Sequence, residues 1–270
     1  MVDLDGDGRR DLISGSYWPG DLFLFREQAD GTYAKGTPLL ATSGEKVNAG
    51  PKWENENTPQ MDSLAAAPHT ADLDGDGDLD LLVGNIAGRV IWIPNQGDAK
   101  NPKFHNEGRR ALEADGAAIQ VPGGDAGPFV TDWDRDGVLD LIVGAGDGSV
   151  WYYRNEGTRR EPKFAAGVAL LPKSKYDYEN PAKKGEPLTS HGTRTKVCAA
   201  DLDGDGWDDL LVGDFLSVER PAPELTEAQT ARRDTLRAEM ETIQESVQER
   251  YAALEAEGKM DDPGHEDAEL

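Results

Sequence analysis

An acidic nonapeptide recurs four times: Asp3-Leu-Asp-Gly-Asp-Gly-Arg-Arg-Asp11, Asp72-Leu-Asp-Gly-Asp-Gly-Asp-Leu-Asp80, Asp132-Trp-Asp-Arg-Asp-Gly-Val-Leu-Asp140 and Asp201-Leu-Asp-Gly-Asp-Gly-Trp-Asp-Asp209. Unit charges about 4 Å apart repel by roughly 4 kcal/mol at an effective dielectric near 20, so carboxylates converging on one turn must be neutralised or splayed. A hard cation that accepts six to eight oxygens in a forgiving geometry suits such a turn, and Ca²⁺ fits that description. Aspartates at positions 1, 3 and 5 wrap one side of an ion. The glycine at position 6, present as Gly8, Gly77, Gly137 and Gly206, permits the sharp bend. An EF-hand would place Glu at position 12, where this chain has Ser14, Val83, Val143 and Val212, so a helix-loop-helix is disfavoured.

First aspartates fall 69, 60 and 69 residues apart, which makes the motif part of a larger repeat. The second and third copies superpose without a gap. Leu-Leu-Val-Gly84 matches Leu-Ile-Val-Gly144, and Val90-Ile-Trp-Ile matches Val150-Trp-Tyr-Tyr. Asn95-Gln-Gly97 matches Asn155-Glu-Gly157, and Pro102-Lys-Phe104 matches Pro162-Lys-Phe164. Each unit reads as strand, acidic turn, strand, Gly-rich turn, strand, Asn-x-Gly turn and a short strand around Pro-Lys-Phe. Apolar residues flank each acidic turn, so it links two strands packed in a core. Four short antiparallel strands per unit, each unit covered only by its neighbours, predict a mainly β fold of propeller blades.

The Asp-x-Asp-Gly-Asp-Gly-x-x-Asp-Leu turn, followed by a strand and Val-Gly, resembles the FG-GAP or VCBS repeat of integrin-α-like propellers. The resemblance covers residues 1 to about 215. It implies one Ca²⁺ per turn, up to four ions, held by the side chains at positions 1, 3, 5 and 9 and the carbonyl at position 7. Those positions are Asp3, Asp5, Asp7 and Asp11 with Arg9; Asp72, Asp74, Asp76 and Asp80 with Asp78; Asp132, Asp134, Asp136 and Asp140 with Val138; and Asp201, Asp203, Asp205 and Asp209 with Trp207. In the third turn Arg135 replaces the usual Gly at position 4, which sets a cation near the carboxylates unless its side chain points outward.

A closed propeller needs four to eight blades, and the resemblance implies about seven. Three full units and the beginning of a fourth are expected here, so the chain reads as a segment of a longer propeller. Open blade edges invite capping by a partner or by another copy. After Pro221-Ala-Pro223 a long helix is predicted from Thr226, with Thr226 and Gln229 as a capping box. Leu236, Met240, Ile243, Val247 and Leu254 form one apolar stripe, suited to packing on the propeller or on an antiparallel helix. In the resembling family a helical insertion within a blade would occupy this place. The expected organisation is a propeller segment over 1–219, an amphipathic helix over 220–258 and a disordered tail over 259–270.

The formal charge of −24 argues against nucleic acid or an anionic membrane as a partner, and four divalent ions would still leave about −16. No apolar run approaches the roughly 18 residues of a membrane span, and Met1 leads directly into the first motif rather than into a targeting segment. The resemblance and the acidity together point to an extracellular or periplasmic setting. Cys198 is the sole cysteine and is expected as a small buried strand residue.

Catalytic constellations are weakly drawn. Ser190 and His191 are adjacent without a Gly-x-Ser-x-Gly elbow, and the other histidines are His69, His105 and His265. Two insertions stand out: residues 41–66 with Trp53, Asn55 and Asn57, and residues 172–195 with Tyr176, Tyr178 and four lysines. Each is either a recognition loop for a glycan or anionic peptide or plain decoration of a blade edge. The expected function is a noncatalytic, calcium-binding scaffold for adhesion, with protein or glycan ligands on its loop face. The alternative is the propeller portion of a secreted carbohydrate-active or hydrolytic enzyme.

Overall fold

The computed structural model describes residues 2–50, 63–219 and 225–256. Trp53, Asn55, Asn57, His265 and the 259–270 segment lie outside that set, as does the side chain of Leu254. The chain divides into two compact units, residues 1–219 and 220–270.

The first unit is all β. Its first sheet runs β1 (Leu12–Gly15), β2 (Leu22–Phe25) and β3 (Thr37–Pro38), with Val2 bridging to Asp11 ahead of β1. The second runs β4 (Ala67–Ala71), β5 (Asp80–Gly84), β6 (Val90–Ile93) and β7 (Arg110–Ala111). A hairpin of β8 (Glu113–Ala114) and β9 (Ala117–Ala118) follows. The third sheet runs β10 (Gly127–Thr131), β11 (Asp140–Gly144), β12 (Val150–Tyr153) and β13 (Val168–Leu171). The last pairs β14 (Thr193–Ala200) with β15 (Asp209–Phe215). All pairings within these sheets are antiparallel and join strands consecutive in sequence, which is the layout of propeller blades in an open, unclosed array.

The core lies between blades rather than within them. Leu81 and Val83 of β5 join a cluster with Leu4, Leu22, Ile91 and Phe104. Leu82, on the opposite face, joins Leu141, Val143 and Trp92. A strand buried on both faces needs a continuous apolar run, which Leu81-Leu-Val83 and Leu141-Ile-Val143 supply. Neighbouring blades are also stitched by main chain, with Ala126 N–H donating to Asn85 at 3.0 Å and Thr195 N–H donating to Ala145 at 3.1 Å. The residue ahead of each such entry point is left-handed: Ala65, Asp125 and Arg194 have φ of 54°, 52° and 56°.

Three expectations are corrected. The fourth strand does not form at Pro-Lys-Phe: Phe104 and Phe164 make isolated bridges, to Asn95 and to Asn155 and Ala114, and the ladder resumes later at β7 and β13. Proline lacks the N–H a ladder needs, and each phenylalanine is buried as a core plug, 2% and 3% exposed. Cys198 does lie on a strand, β14, but it is exposed, because the described sheet there has only two strands. The front half of the first insertion is core rather than decoration, since Ala41, Val47 and Ala49 are buried in the first blade.

The second unit contains α1 (Glu227–Ala256). Its start is a reciprocal capping box: Gln229 N–H donates to Thr226 Oγ1 at 3.3 Å and Thr226 N–H donates to Gln229 Oε1 at 3.0 Å. Leu236, Met240, Ile243 and Val247 are exposed along its stripe. No helix among the described residues is long and apolar enough to cross a membrane.

Candidate metal centres

Each acidic nonapeptide forms the loop between the first two strands of a blade, or between the Val2 bridge and β1 in the first. Its own aspartates shape it. The position 1 carboxylate accepts the N–H of position 6, at 3.0 Å for Asp3 with Gly8 and Asp132 with Gly137, and 2.9 Å for Asp201 with Gly206. The position 5 carboxylate accepts the N–H of position 7, from Arg9, Asp78, Val138 and Trp207 at 2.9, 3.0, 3.1 and 2.7 Å. The glycine between them has φ of 86°, 99°, 92° and 89° in the four loops, a region closed to most side chains.

Position 4 is left-handed as well, and in the third loop Arg135 adopts φ 63° there, a strain of about 1 kcal/mol. Its guanidinium leaves the loop and lies 4.2 Å over the ring of Trp207 in the next loop, which offsets the strain with a cation–π contact. Arg135 therefore does not crowd its own carboxylates.

Carboxylate oxygens within 4.8 Å of one another come from Asp3, Asp5 and Asp7; from Asp72, Asp74 and Asp76; from Asp132, Asp134 and Asp136; and from Asp201, Asp203 and Asp209. Within these loops one oxygen each of Asp5, Asp11, Asp72, Asp74, Asp78 and Asp132 is buried without a hydrogen-bond partner. A buried, unpaired carboxylate oxygen is costly, and the strain is visible in the ionisation of the group. Burial, then the charge of Asp76, raises Asp74, and burial followed by the charges of Asp76, Asp74 and Asp72 pushes Asp78 up to about 6. A divalent cation that prefers hard oxygen ligands fits this donor set, which contains no nitrogen or sulfur.

Position 9 has a second task. Asp80 is 1% exposed, and accepts Asn95 N–H at 2.8 Å on one oxygen and Leu73 N–H at 3.3 Å on the other. Asp140 does the same with Asn155 at 2.7 Å and Trp133 at 3.2 Å, and also accepts the Tyr152 hydroxyl at 3.0 Å. Asp11 accepts Glu27 N–H at 3.2 Å, and Asp209 accepts Leu202 N–H at 3.0 Å. Burial is the main reason that Asp11 and Asp140 are raised and that Asp80 reaches about 7. In the first three blades the position 9 aspartate thus fastens the loop to the end of the third strand. In the second and third blades that end is the Asn-x-Gly turn, where Asn95 and Asn155 each accept two backbone N–H groups.

Two residues of the loop environment escape the motif. Arg26 and Arg154 each follow the third strand of the blade and pair with loop carboxylates, Asp5 and Asp134 respectively. Their only sequence signal is a basic residue directly before the Glu27 and Asn155 positions.

Among the described residues the catalytic candidates are not assembled into a constellation. Ser190 Oγ accepts Lys175 N–H at 3.0 Å, while His191 Nε2 bonds the Gly148 carbonyl at 3.0 Å. His105 meets Thr42 at 2.7 Å, and His69 lies between blades against Phe129. The Tyr176 hydroxyl donates to the Ser217 carbonyl, and the Tyr178 hydroxyl donates to the Phe215 carbonyl at 2.6 Å. The aromatics of the second insertion therefore tie it down to the end of β15.

A family profile described as an FG-GAP-like repeat matches residues 3–83, 72–143 and 132–212. A comparison with curated proteins finds no match. Among solved structures, the chain is similar to an Agrocybe aegerita lectin, described for specific recognition of non-reducing terminal N-acetylglucosamine. Identity is 20% and the TM-score 0.38, with 78% of this chain and 45% of that one covered. The chain thus spans less than half of that lectin's length.

Proposed function

The chain belongs to the FG-GAP-like repeat family, and from that premise we propose that it is a calcium-stabilised propeller segment serving as a noncatalytic scaffold, in an extracellular or periplasmic protein, for protein or glycan partners. One observation carries the calcium reading: four loops in register each gather three carboxylates within 4.8 Å, and three of those clusters contain buried oxygens with no hydrogen-bond partner. Asp3, Asp5 and Asp7 and their counterparts would hold the ion. The position 9 aspartates would join them, those of the first three loops while keeping their grip on the third strand. The bound ion would supply positive charge against clustered carboxylates, and no bond-making chemistry is asked of it.

A site filled to tenfold above its dissociation constant adds about 1.4 kcal/mol to stability, so four such sites would matter to thin blades. Affinities of about 0.1–1 mM, common in extracellular modules, would suit a calcium-rich setting. Partner recognition is assigned to the loops because the strands are occupied with packing between blades.

The test is calcium-dependent melting together with a count of bound ions. Chelation is expected to lower the melting temperature, and Asp74→Ala and Asp203→Ala are each expected to remove about one bound ion. Superimposable melting curves in excess calcium and in chelator would sink the reading. Binding to a glycan array or a pull-down partner without turnover supports the scaffold role; turnover lost on changing Ser190 or His191 would replace it with an enzyme.

A further inference from the structure

The first three loops share one backbone but differ in the charges placed around it. Registers Leu12↔Phe25, Leu81↔Ile93 and Leu141↔Tyr153 make Phe25, Ile93 and Tyr153 equivalent, so the next residues, Arg26, Pro94 and Arg154, occupy one position. Arg26 pairs with Asp5 and stands 3.6 Å from Asp11. Arg154 bridges Asp134 at 2.6 Å and Asp136 at 3.2 Å. Pro94 brings no charge to the second loop.

Position 7 departs in the same sense. In the first loop it is Arg9, whose guanidinium pairs with Asp7, and in the third it is the neutral Val138. In the second it is Asp78, a fifth carboxylate, only 6% exposed and with a buried oxygen that has no hydrogen-bond partner. Arg159, on the neighbouring blade, lies 3.6 Å from Asp72 of that loop and is largely exposed. Among the described residues the fourth loop has neither device; the Arg135 guanidinium rests on its Trp207 ring, and its carboxylates are exposed.

We propose that Arg26 and Arg154 are tethered counter-ions that compete with calcium in the first and third loops, and that Asp78 makes the second loop the site that loads first. The inference rests on the calcium reading above and gives it an order. An arginine on a flexible stem offsets part of the charge of an ion-free loop and must swing out before a cation enters, whereas the second loop has no such offset on its own blade. As external calcium falls, the first and third loops would empty onto their arginines while the second, between them in sequence, stays loaded.

The test is equilibrium competition between the calcium-loaded full chain and a chromophoric chelator at fixed ionic strength, with bound calcium counted by atomic absorption. The intact chain is expected to release weak ions first and one ion last. Arg154→Met is expected to tighten one weak step on the order of fivefold, the scale of an exposed ion pair. Asp78→Asn is expected to weaken the last step by about tenfold or more. Should Asp78→Asn fold poorly, Pro94→Arg supplies the missing counter-ion instead and is expected to weaken the same step. A full complement of ions with an isotherm unmoved by Arg154→Met would overturn this inference and leave the calcium reading standing. No bound ion at all would overturn both.

Discussion

His69 shows how a single ionisable side chain becomes a stability switch through its surroundings. It sits on β4 with its ring 4.7 Å from that of Phe129, lines a cavity of about 320 Å³ with Val2, Ile13 and Pro68, and accepts Val130 N–H on Nε2 at 3.2 Å. Burial lowers it from the ordinary 6.5 to about 4. The unfolded chain therefore takes up this proton first as pH falls, so the contribution is whole above about 6.5 and is lost progressively towards 4, by up to about 3 kcal/mol. With saturating calcium, His69→Gln, which keeps an acceptor for Val130, is expected to flatten the fall in melting temperature between pH 6.5 and 4.5 relative to the unaltered chain. Parallel profiles would show that His69 is not responsible. Arg135 makes the opposite point about legibility. Its departure from Gly is plain in the sequence, but its outlet is not, because Trp207 is 72 residues away and meets it only once adjacent blades are stacked.

At the level of the strand, the recurring Val-Gly is a spacing device. A Cβ on Gly84 would lie 2.1 Å from the Ala126 carbonyl oxygen of the next blade, and one on Gly144 would lie 2.2 Å from that of Thr195. At Gly213 the nearest atom is 3.9 Å away. Gly84→Ala and Gly144→Ala are expected to cost about 1–3 kcal/mol each, towards the upper end because what they meet is backbone. Gly213→Ala, within strand β15, is expected to be neutral or to gain about 0.5 kcal/mol. Chemical denaturation of the three variants checks this, and equal losses at all three positions would refute the spacing argument. Strand order and the acidic hairpin loops were readable from repetition and periodicity alone. The fourth strand was not, because the buried Phe104 and Phe164 look like strand residues while their prolines remove the ladder donors. Nor were the left-handed Ala65, Asp125 and Arg194, since none is a glycine and the blade-to-blade hydrogen bonds that hold them there connect segments distant in sequence. Asp80 and Asp140 stand out in the sequence only as the last carboxylates of the motif, and their hold on Asn95 and Asn155 depends on strand pairing that spacing does not reveal.

Across the array each described blade packs on its sequence neighbours, so stability should vary along the chain rather than be shared evenly. Leu81, Leu82 and Val83 of β5 and Leu141, Ile142 and Val143 of β11 are fully buried, whereas Leu211 and Val212 in the same motif on β15 are 40% and 36% exposed. Hydrogen exchange is expected to protect amides of β5 and β11 longest and those of β14 and β15 least. Uniform protection would indicate all-or-none unfolding and contradict a nearest-neighbour account. The main-chain bonds that join Asn85 to Ala126 and Ala145 to Thr195 carry one further implication. A seam written in amides and carbonyls makes few demands on side-chain identity, so a duplicated module spliced between two blades would find matching donors and acceptors on either flank. Growth by copying would then alter the length of the array without redesigning its joints.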